Sequence, residues 1–266
     1  MLHTSVKTKP IDYCKLCKNK TQLEISHAIP KAVFNNIFRN ASGKAVAINA
    51  DTNTHTQYSS DSWAEHQLCK NCEAKLNNQY DSYGINLLKS TFNQEKKEYG
   101  LTFKNIDRKK FRLFFLSILW RSALSKNPHY KNIKLSTVQL EILRSAFYNN
   151  TNVPYSNFTV AVYKLENFTN IESLNSDNIR TNIMAPFVKN FSNISTICYM
   201  FYGFFIEICL IKQPRSILLK PGVLFGNSLI FMAPYQEILD LPEVLNMFVT
   251  ALNKEDSGKT KIKAIS

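Results

Sequence analysis

Two Cys-x-x-Cys pairs, Cys14-Lys-Leu-Cys17 and Cys69-Lys-Asn-Cys72, constrain this 266-residue chain more than any other feature. A Cys-x-x-Cys turn lets two sulfurs reach one ion, and two such turns close the four-ligand shell that zinc prefers. The polar stretch Met1–Pro10 has no apolar h-region, so the pairs read as metal ligands and not as a disulfide framework. Leu68 before the second pair and helical sequence after it suit a strand, a knuckle and a helix. That order is the treble clef: a knuckle, a hairpin, then a second knuckle in the first turn of a helix. Four thiolates leave no open coordination position, so the zinc expected on Cys14, Cys17, Cys69 and Cys72 is structural. The other two cysteines, Cys198 and Cys209, sit in apolar strand-like sequence and read as buried thiols.

With 44% hydrophobic and 20% charged residues the chain has an ordinary globular balance. Its most apolar run, Ile197–Ile211, is broken by Glu207 and falls short of the ~20 residues that a membrane helix needs. The expectation is a cytoplasmic protein with no membrane partner. The net charge is +13, which favours polyanionic partners, chiefly nucleic acid. Residues 1–100 carry a net +4 and residues 101–266 a net +9, with the densest cluster at Lys104, Arg108, Lys109, Lys110 and Arg112.

Periodicity predicts an α+β class: a zinc-bound N-terminal unit over 1–100, then, over 101–266, a helical middle and a small, mainly antiparallel C-terminal sheet. A short helix is expected over Pro30–Arg39, with Pro30 at its first position. Asn40–Ser62, polar and rich in Ser, Thr, Asn and Asp, reads as a long loop. Helices follow at Glu73–Ser90, at Asp107–Lys126 (apolar almost all round from Phe111 to Trp120, hence deeply buried) and from Ser136, where Ser136 and Gln139 make a capping box. Beyond Pro154 the alternation of Phe158, Val160 and Val162 marks a strand. Further strands are expected near Ile183–Val188, Thr196–Tyr202, Phe204–Lys212, Ile217–Leu219 and Ser228–Met232. A last helix is expected over Tyr235–Leu252, with a charged tail from Asn253.

Between the cysteine pairs lies Leu23-Glu24-Ile25-Ser26-His27-Ala28-Ile29-Pro30-Lys31. Here the sequence resembles the His-Asn-His (HNH) endonuclease superfamily in its zinc-stabilised treble-clef form, over roughly residues 14–90. It resembles most closely a bacterial group with Ser-His-x-Ile-Pro-Lys between the pairs and Glu directly after the last Cys. Such proteins also tend to carry a later stretch like Phe114-Phe115-Leu116-Ser117-Ile118-Leu119-Trp120-Arg121-Ser122. The resemblance implies that His27 is the general base, a role that suits a group titrating near neutrality. It implies that Glu73 holds a catalytic Mg²⁺ or Mn²⁺, for which a carboxylate oxygen is an apt ligand. The implied activity is metal-dependent hydrolysis of phosphodiester bonds in DNA, and the superfamily context points to phage defence or another mobile-element role.

The sequence departs from the superfamily pattern in two places. Ser26 stands where an acid usually precedes the base, and the nearest acid, Glu24, reaches His27's side of a strand only if the hairpin twists or bulges. The middle Asn is replaced by Ala64, flanked by Trp63, Glu65 and His66, with His66 or Glu65 as the substitutes. Asp81 is a further candidate ligand. Lys31, Lys70 and Lys75 are candidate phosphate contacts. A second reading stays open, that of a non-catalytic treble-clef module binding nucleic acid or a partner protein. A third is an effector held inactive by a protein from the same operon, with the C-terminal sheet as sensor or docking surface.

Overall fold

A helix that is apolar on every side must lie inside the molecule, and α4 (Arg108–Leu124) does: every side chain from Phe111 to Ser122 is buried. The Asp107 carboxylate caps its start by accepting from Lys110 N at 2.9 Å. The computed structural model describes residues 9–40, 45–48, 57–59, 63–169, 179–180, 183–191 and 194–246. The class is α+β. Among the described residues one sheet has three antiparallel strands and the other has nine.

The small sheet, in the order β1-β2-β5, comprises β1 (Ile11–Tyr13), β2 (Lys20–His27) and β5 (Ala64–Cys69). Between β2 and β5 come α1 (Lys31–Asn40), β3 (Ala45–Ile48) and β4 (Gln57–Ser59). Helix α2 (Lys70–Leu76) follows β5 directly. It runs through a π-turn at Asn77–Asp81 into α3 (Ser82–Lys89), where the sequence predicts one regular helix. Next come β6 (Gln94–Lys97), β7 (Gly100–Phe103), α4 and α5 (Thr137–Asn149). The capping box expected at Ser136 and Gln139 is present at α5. The remaining strands are β8 (Thr159–Glu166), β9 (Ile183–Phe191), β10 (Ile194–Phe201), β11 (Phe204–Cys209) and β12 (Phe231–Glu237).

The large sheet runs β4-β3-β9-β10-β11-β8-β12-β7-β6. It is mainly antiparallel, with parallel pairing at β12–β8 and at β3–β9. It is larger than expected because it also takes strands from the first hundred residues. Asn40–Ser62 is not wholly a loop: it supplies β3 and β4, the rest of it lying outside the described residues. The four-residue run Ala45–Ile48 finds a parallel partner in β9 more than a hundred residues away, and no local signal announces such a partner. Hairpin β6–β7 escapes sequence reading because β6 is a charged edge strand (Gln-Glu-Lys-Lys).

Two C-terminal expectations are corrected. Ile217–Leu219 is not a strand but belongs to a one-turn helix, Arg215–Leu218, begun by Pro214. Tyr235–Glu237 is not helical: these residues continue β12 and pair in parallel with Lys164–Glu166. A helical stretch begins only at 242, and the tail from Asn253 lies outside the described residues.

Strand alternation gives the large sheet two apolar faces. The inner face, with Val160, Val162, Tyr199, Phe201, Ile206 and Ile208, packs on α4 in one core that also takes in Cys14, Leu68 and Leu76. The outer face carries Met184, Phe187, Cys198, Met200 and Phe205, covered by Ile238, Leu241 and Val244. Among the described residues no helix is long and apolar enough to cross a membrane.

Helices α3 and α4 cross with no spacer at Gly84, where an added Cβ would lie 2.2 Å from the Phe114 ring. Gly84→Ala is therefore expected to destabilise the fold by about 1–3 kcal/mol. The check is a denaturant melt, in which Phe114→Leu should recover part of the loss in the Gly84→Ala background.

Candidate metal centre and adjoining cleft

Cys14 and Cys17 sit in the tight connection between β1 and β2. Its turn is closed by Lys18 N donating to Cys14 O at 2.9 Å, with Lys18 at φ 66°. Cys69 ends β5 and occupies the N-cap position of α2; Cys72 lies in that helix's first turn. The pairing of β2 with β5 brings these two corners together. The four Sγ atoms all lie within 4.8 Å of one another, with Cys17 and Cys69 at 4.0 Å. Around a tetrahedral ion with metal–sulfur bonds of about 2.3 Å, sulfurs stand roughly 3.8 Å apart. The cluster could thus hold a metal ion such as zinc. The Cys69 amide donates to Cys14 Sγ at 3.4 Å, a contact that favours a thiolate. Burial and the neighbouring Cys69 and Cys14 sulfurs push the Cys72 thiol well up, so a bound cation would relieve this crowding.

The same strand and helix place Glu73 beside Ser26. Register shifts between Glu24 and Ile25, where Gln67 is the extra residue of β5. The shift interrupts the in–out alternation, so both Leu23 and Ser26 are buried. Ser26 is 2% exposed and its hydroxyl acts on the Glu73 carboxyl. Burial pushes that carboxyl up; Arg121 and Ser26 pull it down, and Asp81 and Glu24 push it up. Neither Ser26 Oγ nor Glu73 Oε2 has a hydrogen-bond partner of good geometry. Glu73 opens into a cleft of about 400 Å³, shared with Lys9, Glu24, Ile25, Lys70 and Asn77. Glu24 Oε2 meets Lys9 Nζ at 2.5 Å.

The other predicted residues fall in varied settings. His27, at the end of β2, is half-buried, and alternation turns it to the face opposite Ser26. The segment after it is tied down where Ile29 N donates to Tyr130 OH at 3.4 Å. His66 Nδ1 lies 3.2 Å from Leu23 O. Both Asp81 oxygens accept from Arg121, at 2.7 and 2.8 Å, so its charge is already paired with a buried cation. The Glu65 carboxylate accepts from Ser125 Oγ and Lys126 N, both at 2.8 Å, and so closes the C-terminal end of α4. Lys31 and Lys70 are exposed at helix starts, whereas Lys75 donates to Tyr148 O. Cys198 is fully buried as expected, but Cys209 is only half-buried.

Three contributors to this region escape sequence reading: Lys9, Asn77 and Arg121. Arg121 is buried, and burial works against its charge, but Asp81 and Glu73 beside it hold it protonated. A buried arginine needs its donors met: Arg121 meets the Asp81 carboxylate, whereas Arg112 of the same helix meets the carbonyls of Val153, Pro154 and Phe158. Comparison of the chain with protein-family models, with curated proteins and with solved structures finds no match in any of the three.

Proposed function

We propose that the chain is a metal-dependent HNH-like endonuclease that hydrolyses phosphodiester bonds in DNA, built on a zinc-bound treble clef. The observation that carries this reading is Glu73. Its Oε2 is buried without a hydrogen-bond partner and lies on a cleft that also holds a second carboxylate and two lysines. Leaving a buried carboxylate oxygen unpaired costs about 1–3 kcal/mol or more, a cost that makes sense where a ligand completes the site. The four-cysteine cluster supports the reading because it fixes β2 and α2, the elements that carry Ser26, His27 and Glu73.

Glu73, with Glu24, would hold Mg²⁺ or Mn²⁺, which supplies charge stabilisation at the scissile phosphate. Lys70, at the start of α2, and Lys9 give the cleft the positive charge that a phosphate backbone needs. Ser26 lies beside the Glu73 carboxyl, whereas His27, the base that the resemblance implies, is turned to the opposite face of β2. The cleft supports the metal-holding half of the site, and the role of His27 as base rests on the resemblance.

Supercoiled plasmid with Mg²⁺ or Mn²⁺ tests the proposal. Wild type nicks it, and His27→Ala and Glu73→Gln each lower the rate by about 10²–10⁴-fold. Activity retained in His27→Ala would sink the assignment. The commitment of Asp81 to Arg121 and of Glu65 to the end of α4 favours a second reading, a non-catalytic module that binds nucleic acid or a partner protein. Binding of plasmid by wild type without cleavage in either metal would establish that reading.

A further inference from the structure

Among the described residues the outer face of the large sheet is only partly covered. Ile238, Leu241 and Val244 close it over Phe187, Met200 and Phe205. Beside them the sheet carries small side chains, and an open cleft of about 890 Å³ remains, within the usual range for small-molecule sites. Register explains the hollow: Lys189, Thr196, Cys209 and Thr159 stand side by side across β9, β10, β11 and β8. In the next row Glu207 faces Ala161. Thr, Cys and Ala fill little space, so the long side chains around them become walls.

The rim is built in advance. The segment 220–224 is wedged against β8 and β12: Gly222 N donates to Met232 O at 3.0 Å, Val162 N to Gly222 O at 2.8 Å and Leu224 N to Val160 O at 2.9 Å. It brings Pro221 and Val223 to one side of the cleft, with Pro234 of β12 and Ile217 nearby. Tyr163 adds a flat ring from the floor.

The polar groups converge. Lys189 Nζ and Glu207 Oε1 are 3.2 Å apart and partly buried. Burial and the adjacent Glu207 push the Tyr163 phenol up to about 12, so it stays a donor at neutral pH. Thr159 is 4% exposed, and its Oγ1 has no hydrogen-bond partner. A free anion would meet Glu207 and a free cation would meet Lys189, so a charged ligand of either sign is disfavoured. A neutral planar molecule with a donor beside an acceptor on one edge satisfies both, while its faces lie against proline, tyrosine and aliphatic surface.

We propose that this cleft is a binding site for a neutral, nucleobase-like heterocycle, read by Glu207 and Lys189 and seated over Thr159, Ala161 and Thr196. The site lies on the large sheet, apart from the residues assigned to the nuclease centre, and its test does not depend on cleavage.

Isothermal titration of the full chain with adenosine, guanosine, cytidine and uridine, each separately, tests it. At least one binds with a Kd below ~1 mM. Ala161→Leu, which fills the floor, and Glu207→Gln, which removes the acceptor charge, each weaken that binding tenfold or more. Thr196→Leu fills the half-exposed part of the floor and serves if Ala161→Leu lowers the melting temperature. Failure of all four nucleosides to bind overturns the proposal. Binding that persists undiminished in the filled-floor variant also overturns it, because the ligand would then sit elsewhere.

Discussion

Loss of the metal from the four-cysteine cluster is expected to unfold β1, β2 and the start of α2. Binding energies at structural zinc sites run to about 10–16 kcal/mol, and whole domains have net stabilities of about 5–15 kcal/mol. Against the loss stand the burial of Leu16, Leu23, Leu68 and Leu76 in the main core and Arg144 donating to Leu16 O at 2.9 Å, whereas β1 has three residues, all exposed, and a bulge interrupts the β2–β5 ladder. The purified chain should carry one zinc, and Cys69→Ser should carry little or none. Elemental analysis reads both zinc contents, and hydrogen exchange after chelation reads the unfolding, with protection lost over residues 11–27 and 64–76. Unchanged protection after chelation would show that the cysteines pack as a plain core and would remove the basis for a metal scaffold.

The second large effect is expected at Asp81. Arg121 is 1% exposed and both its terminal nitrogens donate to this one carboxylate. Asp81→Ala removes the only carboxylate hydrogen-bonded to this buried guanidinium among the described residues and leaves it with the nearby charge of Glu73 alone, a change that costs about 3–5 kcal/mol. For a chain of this size that lowers the melting temperature by roughly 6–20 °C. Replacing both partners, as Asp81→Leu with Arg121→Met, removes the two charges together and should lie much nearer wild type. Thermal melts of the single and double variants measure the difference. A single variant that melts with wild type would show that water reaches Arg121 and that the pair contributes little.

The sequence announced the parts whose signals are local. The cysteine pairs, the all-round apolar helix and the Ser136–Gln139 box each depend on residues within a few positions, and the structure carries all three. The large sheet was half legible. Strands β8 to β11 have apolar runs of their own, but β3 and β6 are strands because of distant partners, and Tyr235–Glu237 is strand because β8 lies beside it. At the candidate site the sequence presented His27 as the base, Glu73 as the metal ligand, Asp81 as a further ligand and Glu65 as a substitute for the missing Asn. The fold separates them: it leaves Glu73 facing a cleft and commits Asp81 to Arg121 and Glu65 to the end of α4. Those partners lie 40 and about 60 residues away in sequence, beyond the reach of any motif.

The π-turn between α2 and α3 has one more consequence. A π-turn is in effect one residue inserted into an α-helix, and each α-helical residue advances the chain by ~100°. The two ends of the helix therefore keep separate rotational settings. One end aims Cys72 at the cysteine cluster and Glu73 at its cleft. The other aims Gly84 at Phe114 of α4 and buries Ile85 and Leu88, and Asp81 closes the turn onto Arg121. A regular helix with one residue fewer would keep either setting and lose the other. The turn acts as a phase adjuster, letting a four-cysteine corner and a helical core with unrelated geometric demands share one continuous rod.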